Sequence, residues 1–418
     1  MAMNTVTATP TAASEAASRE AGTSNLLIRA VMASAALLLA AAVIYQGAVS
    51  LMTRVRPEQA ARLAPGNARV AVEAARAASE RGVSPSAARL RNLVRTALSR
   101  DPTLTTAIEY RAVEAEQSGD RGRAARLFHL SDAISRRSLP TRLWLIQDAV
   151  NRGDVIGALG QFDIALRTST AAPDVLFPVL AGATSDPALA APIARMLDRP
   201  SDWRAMFLHY AIVEAGAAHD MARVMLHMRD RAMLRQSKSL DSLIGQLVAE
   251  RDFATARVID DAFQPKRPAA GLVRDGRFAD PAAPFPFGWG LADTGKAGAM
   301  RSLVGERPVL AYQAFPGGDG QVALQLLTLP AGRYRFSAIE AAAAIDAASP
   351  GYWTITCGEE NGPQIAIVDQ AVKQGASVSV DFTVPPGCDG QWLAFTVRLS
   401  DAPQGQRGSI ASVSVDRR

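Results

Sequence analysis

The chain matches itself at an offset of 34 residues, and that period limits its N-terminal half to a stacked helical array. Gly119-Asp120 aligns with Gly153-Asp154, and in the same register Tyr110 falls on Trp144, Ala124 on Ala158, Phe128 on Phe162 and Ser131 on Ala165. The same offset backwards reaches Leu90, Val94 and Ala97, with Asp101-Pro102 ending that segment. Such a period is one pair of antiparallel helices per repeat, because each pair leaves an apolar face that only the next pair covers. Gly-Asp makes the turn within a pair. Small residues at 124, 158 and 165 let helices approach, and the rings of Phe128 and Phe162 fill the groove between neighbours.

At these positions the chain resembles the tetratricopeptide repeat family, over residues 84–172. It departs from the family at Leu90 and Ile146, where small residues are preferred, and at Pro140 and Pro173, which stand near repeat ends but off the usual spacing. Residues 58–63, 68–79, 203–228 and 239–263 read as further helices or helix pairs, with Asp220 and Asp252 as turn residues and Ala256 and Ala262 as packing positions. Four or five pairs are expected over residues 57–263. A stack of this kind presents a concave groove, and the resemblance implies that the groove holds a protein partner.

Beyond a linker at 264–270 the pattern changes to short alternating segments broken by Gly and Pro, the signature of an antiparallel β-sandwich over residues 271–418. Val322, Leu324 and Leu326 alternate with small or polar neighbours, as do Tyr334, Phe336 and Ala338, Val378, Val380, Phe382 and Val384, and Leu393, Phe395, Val397 and Leu399. One face of each strand is core and the other polar. With Gly276 and Phe278, Phe287-Gly288-Trp289, residues 329–334 and a closing strand at 409–415, this part resembles the jelly-roll modules of carbohydrate-binding and galactose-binding-like domains. The resemblance implies sugar binding on an exposed aromatic ring, for which Trp353, Trp392, Tyr312 and Trp289 are the candidates. Against that, Trp353 and Trp392 lie beside the cysteines, where a ring more often packs inside a sandwich.

The chain has two cysteines, Cys357 and Cys388, both in this last region. An even pair at the edges of strand-like segments predicts a disulfide and therefore an oxidising compartment. Two reduced, buried cysteines in the cytoplasm are the alternative. The region has no histidine, and the thiols lack zinc spacing.

Residues 30–49 carry no charge and are flanked by Arg29, Arg54 and Arg56, so residues 25–53 are expected to form a transmembrane anchor, with a cleaved secretory signal as the rival. Residues 1–24, rich in Ala, Thr and Ser, are expected to be a disordered cytoplasmic tail. Together with the disulfide this places the bulk of the chain in the periplasm of a bacterium, on the inner membrane.

The net charge of +5 lies entirely before residue 265, since residues 265–418 hold 14 basic and 14 acidic side chains. Without a basic block interleaved with aromatics, nucleic-acid binding is not expected. No residues form a catalytic set. Residues 290–296 imitate a phosphate loop, but Ala297 stands where a hydroxyl must hold magnesium. Glu359-Glu360 precede a turn-forming Asn-Gly, Gly317-Gly318-Asp319-Gly320 reads as a hairpin connection, and His129, His209, His219 and His227 lack ligand spacing. Neither cofactor nor metal is expected. The chain thus reads as a membrane-anchored, non-enzymatic scaffold with helical repeats and a β-sandwich, in the setting of envelope polysaccharide assembly or export. The alternative is a glycan-binding protein that works through its sandwich.

Overall fold

The computed structural model describes residues 38–53, 55–64, 66–80, 87–263, 271–345, 350–399 and 402–418. The expected tail at 1–24, the first part of the expected anchor and the linker at 264–270 lie outside the described residues. The chain divides into two compact units, Met1–Gly153 and Asp154–Arg418.

The first unit is helical: α1 (residues 38–53), α2 (Pro57–Leu63), α3 (Ala68–Glu80), α4 (Ala87–Arg100), α5 (Thr105–Gln117), α6 (Arg121–Ile134) and α7 (Leu139–Asn151). Among the described residues no helix is long and apolar enough to cross a membrane. Leu38, Leu39, Val43 and Ile44 on α1 are exposed, whereas its C-terminal end folds against the protein. There Val49 packs with Ala60 and Val70, and the Tyr45 hydroxyl donates to the Leu63 carbonyl at 3.0 Å.

The repeat turn takes the form expected. Gly119 has φ +82°, a left-handed backbone that glycine adopts without strain, and the Asp120 carboxylate then accepts from the Arg123 amide at 3.0 Å. Phe128 is buried and stacks on Trp144 at 4.6 Å between centroids, while Ala124 is fully buried and Tyr110 packs against the Val94–Ala97 cluster. Ser131 holds a packing position for a polar reason. Its hydroxyl donates to the Glu109 carboxylate at 3.2 Å, which also accepts from Thr141 at 2.9 Å and from Ser138, tying α5, α6 and α7 together.

The second unit begins with α8 (Val155–Thr168), α9 (Ala172–Ala183), α10 (Pro187–Leu197), α11 (Trp203–His209, continuing as one π-helical turn through Glu214), α12 (Ala218–His227), α13 (Arg231–Gln236), α14 (Ser239–Ala249) and α15 (Phe253–Phe263). Asp154 repeats the cap of Asp120, accepting from the Gly157 amide at 2.8 Å. Ala158, Phe162 and Ala165 are buried. Asp252 caps α15 through the Thr255 amide at 3.2 Å. Asp220 does not make a turn: it lies in the first turn of α12, and the chain reverses at Gly216, which has φ +64°. An acidic residue in a first turn is stabilised by the helix dipole as well as by capping, so its type alone does not separate the two places.

Among the described residues ten strands follow: β1 (Gly290–Leu291), β2 (Ala297–Val304), β3 (Arg307–Ala314), β4 (Gly320–Leu327), β5 (Gly332–Ile345), β6 (Gly351–Cys357), β7 (Gln364–Asp369), β8 (Ser377–Val384), β9 (Gln391–Val397) and β10 (Gln406–Arg417). They form two antiparallel five-stranded sheets, β1-β4-β9-β6-β7 and β2-β3-β10-β5-β8. The core between them is built from the inward residues of both sheets, Phe336, Phe382, Phe395 and Val413 among them. Residues 290–296 lie in β1 and the turn to β2, and the element that follows them is the strand β2.

α15 and the sandwich belong to one unit, and named contacts join them. Arg274 pairs with Asp260 and with Asp261, the Arg257 guanidinium lies 5.3 Å from the Phe287 ring, and Arg251 pairs with Glu359. Any side chain at Gly390 would start 2.6 Å from the Phe253 ring, so glycine there is what lets the helix lie this close.

Candidate functional site

Residues of β9 alternate between the core and the outer face of their sheet. Leu393, Phe395 and Val397 point inward, so Trp392, Ala394 and Thr396 share the outer face. Antiparallel register extends that face: Trp392 lies opposite Leu326 and Thr356, Ala394 opposite Leu324 and Thr354, and Thr396 opposite Tyr352. Tyr352 in turn lies opposite Asp369, and Thr354 opposite Ile367.

One end of this face is covered. Leu324, Leu326, Ala394, Thr356 and Trp392 are buried, and the Phe285 ring stacks on Trp392 at 6.0 Å. The covering segment is pinned by the Leu326 amide, which donates to the Pro286 carbonyl at 2.8 Å. The other end is open. Tyr352, Thr354 and Thr396 are partly exposed, and Ile367 and Asp369 are exposed. The Arg398 guanidinium stands 5.1 Å from the centre of the Tyr352 ring and donates to Asp369 at 2.6 Å. An aromatic ring, two threonine hydroxyls, a carboxylate and a guanidinium thus converge on a flat surface, a set suited to an uncharged polyhydroxyl ligand with one apolar face.

The four aromatics expected as sugar platforms do not present a ring to solvent. Trp353 is 1% exposed in the inter-sheet core, among Phe395, Phe336 and Trp289. Tyr312 is edge-on to Phe395 at 5.0 Å, and Trp289 packs on Phe278 while its indole donates to the Asp275 carbonyl at 3.1 Å. Trp392 is on an outer face, but under Phe285. For Trp353, Tyr312 and Trp289 the physical reason is size: rings of this area are what closes a sandwich core between two sheets. Tyr352 was legible as the out-of-phase neighbour of Trp353, since adjacent strand residues point to opposite faces.

The cysteines meet as expected. Cys357 at the end of β6 and Cys388 before β9 form a disulfide, with Cα atoms 5.6 Å apart. Among the described residues no three His, Cys, Asp or Glu side chains are grouped to hold a metal ion.

A buried polar chain that the sequence did not announce runs through the sandwich core. The Trp353 indole donates to Gln370 at 2.6 Å, the Gln370 amide donates to Glu340 at 2.8 Å, and the Ser409 amide donates to the other Glu340 oxygen at 2.8 Å. Burial holds the Glu340 carboxyl up at about 7, against the pull of the Ser409 and Gln370 hydrogen bonds. The Tyr312 hydroxyl sits beside the same carboxyl without a well-formed hydrogen bond, and burial, then this neighbour, pushes it up as well. Glu340, Tyr312 and Gln370 are all buried.

The fold and this face define a helical-array protein carrying a C-terminal β-sandwich. No family model matches the chain, and no curated protein matches it. Among solved structures it is similar to TmCBM61 in complex with β-1,4-galactotriose, at 14% identity over 34% of this chain and 92% of that one, with a TM-score of 0.23. It is also similar to a family 16 carbohydrate-binding module, at 15% identity over 35% of this chain and 100% of that one, with a TM-score of 0.25. A third is the xylan-binding domain CBM22-1 from Paenibacillus barcinonensis, at 10% identity over 31% and 85%, with a TM-score of 0.22.

Proposed function

We propose that the chain is a non-enzymatic binding protein whose sandwich takes a carbohydrate on the open end of the β4-β9-β6-β7 sheet. The observation that carries this is the Tyr352, Arg398 and Asp369 group, which stands at the open end of a face whose other end is covered. Arg398 and Asp369 supply paired donors and acceptors for neighbouring hydroxyls, and the Tyr352 ring supplies the apolar contact. The test is calorimetric titration of the full chain with envelope polysaccharides and neutral oligosaccharides. Saturable binding that Tyr352→Ala and Arg398→Ala each weaken, at an unchanged melting temperature, supports the site; binding that survives both variants refutes it.

A second reading gives the helices a protein partner, as in a tetratricopeptide-like scaffold. Supporting it, α9 exposes Val175, Pro178, Val179 and Gly182, with Asp174 in its first turn as the one charge of that helix, and α11 with its π-helical turn exposes Met206 and Val213. Photo-crosslinkers placed at Val179 and Met206 in intact cells test it, and crosslinks to the same protein from both positions are the result expected. The disulfide supports a periplasmic address, because such bonds persist in oxidising compartments. Attachment to the inner membrane is tested by retention in the pellet after a carbonate wash.

A further inference from the structure

We propose that the edge of the helical array where α10 and α12 end binds a tetrahedral oxyanion, a phosphate or sulfate group on a small molecule, through Arg195, Arg199 and Arg229. This goes beyond the carbohydrate and protein-partner readings and uses none of their residues. These three arginines, with Asp198 and Asp230, line a depression of about 520 Å3. That volume is within the range of small-molecule sites.

The two acids of the depression are already engaged. Asp198 accepts from the Arg229 amide at 2.9 Å and the Asp230 amide at 3.1 Å, which fastens the end of α12 to the end of α10. Asp230 caps α13 through the Met233 amide at 3.1 Å and accepts from Arg204 at 3.2 Å. Arg204 also donates to the Leu197 carbonyl at 3.0 Å, so the negative end of α10 has its cation. The side chains of Arg195, Arg199 and Arg229 are additional to this arrangement. All three residues are exposed, and none has an ion pair with a carboxylate among the described residues.

Three guanidinium groups around one depression repel one another, and a flat surface would let them diverge into solvent. An oxyanion resolves that repulsion, because each guanidinium can donate two parallel hydrogen bonds to a tetrahedral group. Lysine would supply the charge without the fork, which makes the arginine-to-lysine exchange informative.

The experiment is calorimetric titration of the full chain with inorganic phosphate, with inorganic sulfate and with glucose 6-phosphate. Saturable binding of at least one is expected, weakened about tenfold in Arg199→Ala and lost in the triple variant Arg195→Ala, Arg199→Ala, Arg229→Ala. Arg199→Lys is expected to retain only part of the affinity, and added sodium chloride to weaken binding. Tighter binding of glucose 6-phosphate than of phosphate identifies a sugar phosphate as the better ligand class. No saturable binding of any probe, or binding unchanged in the three single Arg→Gln variants, overturns the proposal. The single variants keep the test decisive should the triple variant fail to fold.

Discussion

Phe285 stacks over Trp392 with ring centroids 6.0 Å apart and planes 28° from parallel. Half of the Phe285 ring remains in solvent while Trp392 is buried, so the phenylalanine works as a cover for an aromatic that would otherwise face outward. This contact separates the closed end of the sheet face from the open end at Tyr352. Phe285→Ala is therefore expected to raise acrylamide quenching of tryptophan fluorescence and to cost about 1 kcal/mol. The rise in quenching should vanish in the double variant Phe285→Ala, Trp392→Phe; if it persists, another tryptophan is the one uncovered.

Phe128→Ala removes a buried ring and its stack on Trp144. The loss is expected to be roughly 3 to 5 kcal/mol, from lost burial and the cavity left behind. Urea unfolding followed by circular dichroism measures it, and a change within error of zero would remove Phe128 from the inter-helix core.

The disulfide joins residues 31 apart in sequence, a loop whose closure stabilises the fold by about 3 to 4 kcal/mol in the chain-entropy picture. Cys388→Ser is expected to lower the melting temperature, and a reductant to lower that of the wild type towards the same value. Equal melting temperatures for variant and oxidised wild type would show that the bond does not form.

Glu340 titrates at about 7 in the fold and at 4.5 when unfolded. Between these values the folded chain keeps a proton that the unfolded chain releases, so rising pH favours unfolding. The stability contribution is complete below pH 4.5 and is lost as pH rises through 7, a fall of roughly 3 kcal/mol by pH 8.5. Glu340→Gln, which cannot ionise, should flatten that part of the profile. Urea midpoints at pH 5 and 8.5 for both proteins check this, and parallel profiles would acquit Glu340.

The repeat turns were legible because they are local chemistry. A glycine at positive φ followed by a capping aspartate needs only neighbours in sequence, which is why the turns at 119–120 and 153–154 were found from their spacing. Asp220 shows the limit: its residue type suits a turn and a helix start equally, and the fold put it in the helix. Most sandwich strands were legible for a similar reason, since alternation with a period of two is imposed by the strand itself; in β4 a register shift between Gln321 and Ala323 breaks it, so Val322 is in the core while Leu324 and Leu326 face outward.

Alternation states which residues share a face and leaves open what lies on top of it. Trp392 and Tyr352 are both on the outer face of one sheet, yet one is covered by Phe285 and the other is open, and residues 285 and 392 are brought together only by the tertiary fold. Glu340 likewise has the sequence context of a strand residue, and its raised titration comes from its burial in the folded sandwich, against hydrogen bonds from Ser409 and Gln370. The sequence by itself determined the elements, their periodicity and the cysteine pair, because those depend on short-range geometry. Only the tertiary structure decided which aromatic meets solvent and which carboxyl keeps its proton, because exposure and desolvation are set by segments far apart in the chain.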